Sequence, residues 1–226
     1  MVQATQQMLW KNEGLEALKY LRENRGLTDD VIKEFEIGYC PGFIDDNRLR
    51  GKIILPIHDA YGDLIAVSTR VPYTKQFWHE SYPKGVNLYG LHRAKPYIVK
   101  YDKAIVVEGE FDVAFLYAHG FKMTVGCLGG AFGVIQASLL ARYCSEIFFV
   151  FDGDEGGYET TERAMKKAKE SGLTSYLKTD LIAKVDTKFI PVKLPDGYDP
   201  DDYLKKHGDK QFIKILQEAR EAAMLN

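Results

Sequence analysis

Beyond Tyr101 the chain alternates short apolar runs with segments of helical periodicity, and this alternation restricts the fold more than any other feature. Residues 104–107, 123–128, 147–151 and 188–194 have the length and the β-branched or aromatic content of buried strands. Residues 111–119, 134–144 and 158–171 read as the helices between them. Connections of this length join parallel strands through βαβ crossovers. The expected class is therefore α/β, with a parallel sheet covered by helices on both faces. In such sheets, ligands bind outside the carboxyl ends of the strands.

The residues that follow these runs are acidic. Glu108 follows "AIVV", Asp152 and Asp154 follow "IFFVF", and Asp199, Asp201 and Asp202 follow "FIPVKLP" after a short turn. Two carboxylates separated by one glycine, as in "FDGD", repel each other unless a cation lies between them or water screens them. Hard oxygen ligands at a pocket rim suit Mg²⁺, which keeps several waters and is commonly shared with substrate phosphates. Asp112 lies four residues after Glu108 and joins such a site only if it opens the following helix. Asp-Gly is also a common turn dipeptide, so "FDGD" alone is more often a loop than a metal site. An EF-hand is excluded, because taking Asp152 as the first loop position puts Arg163 where the bidentate Glu belongs. "LGGAFG" (residues 128–133) could bring backbone N–H groups to a phosphate, but it matches neither G-x-G-x-x-G nor a loop ending in G-K-[ST]. The five histidines show no metal-ligand spacing.

At 226 residues the chain holds one large or two modest domains. Cys40, Cys127 and Cys144 form no C-x-x-C pair, which argues against a zinc ribbon or a disulfide scaffold and suits a reducing cytoplasm. No apolar run approaches the ~20 residues of a membrane span, and the N-terminus does not read as a signal peptide. The net charge of −2 is unevenly spread: residues 48–103 carry ten Lys and Arg against four Asp and Glu, while both flanks are acidic. A basic middle before an acidic third suits a polyanion held beside a metal site.

The first hundred residues have a different character. Residues 7–36 read as helical, with Thr28 capping a short helix that carries Val31, Ile32 and Phe35. "KIILPIHDAYGDLIAVSTR" reads as two strands around a turn at Tyr61, Gly62 and Asp63. Residues 71–97 are too rich in Pro and Gly for long regular elements. The expected organisation is a mixed α/β basic lobe over residues 1–101 and an α/β lobe over 102–226.

E-G-x-x-D at Glu108–Asp112 followed by D-x-D at Asp152–Asp154 resembles the Toprim signature. More of the chain is similar to DnaG-type primases. "YLRENRGLTDDVIKEFEIGYCP" resembles the opening of their RNA polymerase domain, "RLRGKIILPIHDAYGDLIAVSTR" its central hairpin, and "KGVNLYGL" the segment just before the Toprim half. "VVEGEFDV", "FDGDEGG" and "LPDGYDPDDYL" follow in the family's order. The resemblance implies synthesis of short RNA primers on single-stranded DNA from ribonucleoside triphosphates. It also implies that Glu108, Asp112, Asp152, Asp154, Asp199 and Asp201 hold two divalent ions, Mg²⁺ or Mn²⁺. Glu108, Asp152 and Asp154 would carry the catalysis, with Glu108 alternatively a general base. Lys52, Arg70, Lys75 and Lys84 would bind template and triphosphates.

Several features depart from the family. Its N-terminal zinc-binding module has no counterpart here, so the expectation is a trimmed chain or a module on another polypeptide. The helicase-binding region is likewise absent, which leaves a replicative helicase as an implied partner. A family arginine is Lys52, the "GGR" ahead of the basic loop is Ser68-Thr69-Arg70, and that loop reads "KQFWHES". Residues 173–187 resemble an insertion. The compact set of parts leans toward a phage, and the expected location is the cytoplasm of a bacterium or phage-infected cell. The rival readings are a Toprim nuclease and a non-catalytic module that binds single-stranded DNA or a helicase.

Overall fold

The computed structural model describes residues 1–42, 44–129, 132–157, 159, 162, 163, 166 and 187–225. The chain divides into two compact units, Met1–Tyr82 and Pro83–Asn226.

In the first unit, α1 (Val2–Leu9), α2 (Leu15–Lys19) and α3 (Asp29–Glu34) precede an antiparallel sheet. The sheet is formed by β1 (Gly38–Cys40), β2 (Lys52–His58), β3 (Leu64–Arg70) and β4 (Phe77–His79), in that order. Helix α3 starts where Thr28 predicts, its hydroxyl oxygen accepting the Val31 N–H at 3.4 Å. The expected hairpin is β2–β3, and Asp59 makes its turn. One carboxylate oxygen of Asp59 accepts the N–H groups of Tyr61, Gly62 and Asp63 at 2.8, 3.0 and 3.0 Å. Ile53, Ile54, Leu55 and Ile57 of β2 are fully buried, each contributing about 1.5–3 kcal/mol by burial. Val2, Cys40, Ile54 and Val67 form one core cluster, against which Leu49 and Trp78 pack. A Cβ at Gly38 would stand 2.5 Å from the Thr5 hydroxyl, so only glycine lets α1 lie this close to β1.

The second unit holds α4 (Leu91–Tyr101), β5 (Lys103–Val107), α5 (Glu110–Ala118), β6 (Thr124–Gly126) and α6 (Val134–Ala141). It continues with β7 (Glu146–Val150), β8 (Lys188–Val192) and a long C-terminal helix, α7 (Pro200–Leu225), broken by non-helical backbone at Gly208. The strands are all parallel in the order β6-β5-β7-β8, as the alternation predicts. Ile105, Val106, Val107, Ile147, Phe149 and Val150 of the two central strands are at most 1% exposed. Phe149 packs edge-on against Phe132, with ring centroids 4.9 Å apart. All three cysteines are buried free thiols.

Two elements differ from expectation. Residues 71–97 contain β4 and most of α4, an 11-residue helix with Pro96 inside it. An interior proline costs about 3 kcal/mol, but Leu91, Ala94 and Ile98 bury one face of α4 almost completely, which offsets it. Helix α7 is the other addition: Asp199 caps it and Pro200 occupies the first helical position, where a missing N–H costs nothing. Most of the helix expected over residues 158–171, and all but the last residue of the insertion over 173–187, lie outside the described residues.

Candidate metal centre at the carboxyl edge of the parallel sheet

After β5 the chain crosses to β6 on one side and then to β7 on the other, so the strand order reverses between β5 and β7. Crevices in open α/β sheets form at such a reversal. Glu108 is the residue that leaves β5 and Asp152 comes two residues after β7. The register that aligns Val106 with Phe149 brings these two strand ends side by side. The main chain closes around them, with Leu128 N–H donating to the Glu108 carbonyl at 3.0 Å. Asp112 does open the following helix: its Oδ2 accepts the Gly109 N–H at 2.9 Å in the first turn of α5.

The glycine of D-G-D has a structural reason. Gly153 N–H donates to the Tyr198 carbonyl at 2.7 Å, and the Gly153 carbonyl accepts Gly197 N–H at 2.9 Å. This stitches the loop after β7 to the loop after β8. A Cβ at Gly153 would overlap the Pro195 carbonyl oxygen. Asp152 and Asp154 therefore flank a point where two backbones touch. Asp154 Oδ1 accepts the Gly157 N–H at 2.8 Å, and Asp199 Oδ1 caps α7 by accepting Asp202 N–H at 2.7 Å. Ligand oxygens of Asp199, Asp201 and Asp202 lie within 4.8 Å of one another.

Charge accumulates at this edge. Burial raises the Glu108 carboxyl above the usual carboxylate range, and the charges of Asp152 and Asp154 add to the effect. Burial, then Asp154 and Asp201, raise Asp152 in the same way. Asp199 is pushed up to about 8 by burial, by its hydrogen bond with Asp201 and by Asp201's charge, with a smaller contribution from Asp112. Asp201 itself is only 2% exposed, and the Lys205 ammonium compensates it at 3.0 Å. Among the described residues, Glu108 and Asp152 have no cation within ion-pair distance. Carboxylates that resist ionisation because of burial first and of one another second fit a divalent cation, which would relieve both desolvation and repulsion.

The six acids given a ligand role in the sequence are thus linked in a chain of pairwise influences: Glu108 with Asp152 and Asp154, Asp152 with Asp154 and Asp201, and Asp199 with Asp201 and Asp112. Lys84 belongs to the same unit, and its ammonium lies 3.7 Å from where a Gly129 Cβ would stand, beyond the end of β6. Lys52, Arg70 and Lys75 lie in the first unit. The Lys52 ammonium donates to the carbonyls of Asn47 and Arg48 at 3.1 and 2.7 Å, and the Arg70 guanidinium lies 4.8 Å from the Phe77 ring centroid. Lys75 is exposed in the turn between β3 and β4. Asp202, named in the sequence with Asp199 and Asp201 but given no ligand role, completes the third acidic group, and Lys205 is the residue of the site that the sequence reading missed. The i,i+4 spacing of Asp201 and Lys205 was the available signal for the ion pair.

Residues 102–177 match the Toprim domain family. The parallel sheet of the second unit thus matches the Toprim fold, with Glu108 and Asp152 at the ends of β5 and β7. The likeness extends over nearly the whole chain. It is 30% identical to the DNA primase of Staphylococcus epidermidis over 94% of its own length and 39% of that protein's. It superposes on a DnaG catalytic core with a TM-score of 0.84 at 26% identity, covering 96% of this chain and 77% of that one. It also superposes on a DnaG primase catalytic domain bound to single-stranded DNA, with a TM-score of 0.80 at 26% identity and coverages of 96% and 78%. In fold and sequence the chain resembles the RNA polymerase domain of DnaG-type primases, and it spans well under half the length of the curated relative. Among the described residues, no helix is long and apolar enough to cross a membrane.

Proposed function

We propose that this chain is the catalytic core of a DNA primase, joining ribonucleotides into short RNA primers on a single-stranded DNA template. The observation that carries the proposal is the cluster of mutually repelling, partly desolvated carboxylates at the strand-order reversal of a Toprim sheet. Glu108, Asp152 and Asp154 would hold one divalent ion, and Asp112, Asp199 and Asp201 a second. Mg²⁺ or Mn²⁺ bound there supplies positive charge against the triphosphate and lowers the cost of deprotonating the primer 3′-hydroxyl. In the transfer itself, the 3′-oxygen bonds to the α-phosphorus while the α–β phosphoanhydride bond breaks and pyrophosphate leaves. Alternatively Glu108, whose raised affinity for protons comes from burial and two neighbouring carboxylates, would leave the ion to Asp152 and Asp154 and accept the hydroxyl proton itself.

Lys84 would meet nucleotide phosphates at the edge of the same sheet. Lys52, Arg70 and Lys75 would bind template phosphates; two of the three Lys52 donors are already engaged, which fixes the ammonium and leaves one for an anion. A zinc-binding module and a replicative helicase are the proposed partners, and the cytoplasm of a bacterial cell the proposed site of action.

The test is incubation with a mixed-sequence single-stranded template, labelled ribonucleotides and Mg²⁺ or Mn²⁺, following RNA synthesis and template cleavage together. Short RNA products that fall at least about a hundredfold in Asp152→Ala support the proposal. Template cleavage without incorporation overturns it in favour of a Toprim nuclease.

A further inference from the structure

Gln136 is a fully buried polar residue in the first turn of α6, and the sequence gives it no chemical role. Its amide makes three hydrogen bonds. Oε1 accepts the Gly133 N–H at 2.8 Å, which caps the helix, while Nε2 donates to the carbonyls of Lys84 at 3.1 Å and Asn87 at 2.7 Å. A side chain 49 and 52 residues away in sequence thus grips both ends of the short turn Lys84–Val86. A second tie lies just beyond, where Tyr89 and Gly126 exchange backbone hydrogen bonds of 2.8 and 3.1 Å. The Tyr89–Gly126 bridge fastens the segment after the turn to the end of β6, and the Gln136 side chain fastens the turn itself to α6.

The chain after β6 passes close to Lys84. Leu128 and Gly129 have φ of 47° and 113°, a left-handed reversal directly after β6, and the Lys84 ammonium lies over Gly129. The same loop donates the Leu128 N–H to the Glu108 carbonyl, so the loop that Lys84 approaches also touches the main chain at the carboxylate edge. Lysine stems are flexible, and holding an ammonium at one spot requires its backbone to be held first.

We infer that Gln136 is a positioning residue that fixes the Lys84 ammonium for a nucleotide's phosphate chain at the carboxylate edge. The inference rests on the proposed nucleotide-binding role of this edge and deepens it by naming what orients its cation. Gln136 touches no substrate and acts through the turn.

The experiment uses the full chain with ATP and Mg²⁺. Equilibrium ATP affinity, steady-state KM and kcat for RNA synthesis, and melting temperature are measured for wild type, Gln136→Glu, Lys84→Met and the double variant. Gln136→Glu keeps the acceptor that caps α6 and loses both donors to the turn. Gln136→Met, apolar and equal in length, is the second variant should the carboxylate disrupt the fold. The expected result is ATP affinity about tenfold weaker in either Gln136 variant, the loss of roughly one charge-assisted hydrogen bond, with KM rising more than kcat falls. The double variant should be no weaker than Lys84→Met, because Gln136 acts only through Lys84. Additive losses in the double variant, or no loss of ATP affinity in Lys84→Met, overturn the inference. ATP affinity that depends on Gln136 without any RNA product would remove the primase reading and leave the inference standing. RNA synthesis with unchanged KM in the Gln136 variants would do the reverse.

Discussion

Replacing Asp199 by asparagine probes the electrostatics of the site without disturbing its shape. Asparagine keeps an Oδ1 to accept the Asp202 N–H that caps α7, and its amide can donate to Asp201. What it removes is a carboxyl pushed from 3.8 up to about 8. The linkage has a definite sign. The folded protein keeps this proton through a window in which the unfolded chain has released it. The stabilisation is fully present below about 4 and is lost as pH rises toward 8. A rise from 3.8 to about 8 corresponds to roughly 6 kcal/mol if fully expressed, but Asp199 is partly open to solvent, and screening leaves about 2 kcal/mol. For a chain of this size that is roughly 4–8 °C in melting temperature. Without divalent ions, Asp199→Asn should therefore melt close to wild type near pH 4 and about 4–8 °C higher at pH 8. Adding Mn²⁺ at pH 8 should raise wild type more than the variant. Differential scanning fluorimetry across pH, with and without chelator, reads both effects. A melting difference that does not change with pH would refute the reasoning, because no other group differs between the two proteins.

Other substitutions test the scaffold. Gly153→Ala places a methyl group against the Pro195 carbonyl and should cost about 1–3 kcal/mol while weakening stabilisation by Mn²⁺; unchanged melting would mean that the two loops part easily. Thr28→Ala should cost about 1 kcal/mol in denaturant unfolding through loss of the α3 cap, and Thr28→Ser should restore most of it. Arg220 donates to the buried Glu146 at 2.6 Å, so Arg220→Ala should destabilise by about 1–2 kcal/mol and the further change Glu146→Gln should recover part of it.

The parallel sheet was legible because its strands are buried on both faces, so "AIVV" and "IFFVF" stand out against the polar turns around them. The same contrast marked Glu108 and Asp152 as the first residues able to carry charge. Helix α4 was hidden because Pro96 argues locally against a helix, and only the burial of Leu91, Ala94 and Ile98 in the folded unit overrules it. The length of α7 was missed although Asp199–Pro200 marks its start, since Gly208 interrupts its pattern. Gln136 makes its hydrogen bonds to partners about fifty residues away, whereas Lys205 pairs with Asp201 one helical turn before it. A glutamine in an apolar helix looks like a surface residue until the turn at Lys84 is found against it.

The most direct test of the central claim, that the strand-end carboxylates hold a divalent cation, is anomalous diffraction from crystals of the chain soaked in Mn²⁺. The account predicts a manganese peak bounded by Glu108, Asp152 and Asp154 that vanishes in Asp152→Ala. Manganese bound only elsewhere on the surface, with these carboxylates empty in wild type, would contradict it.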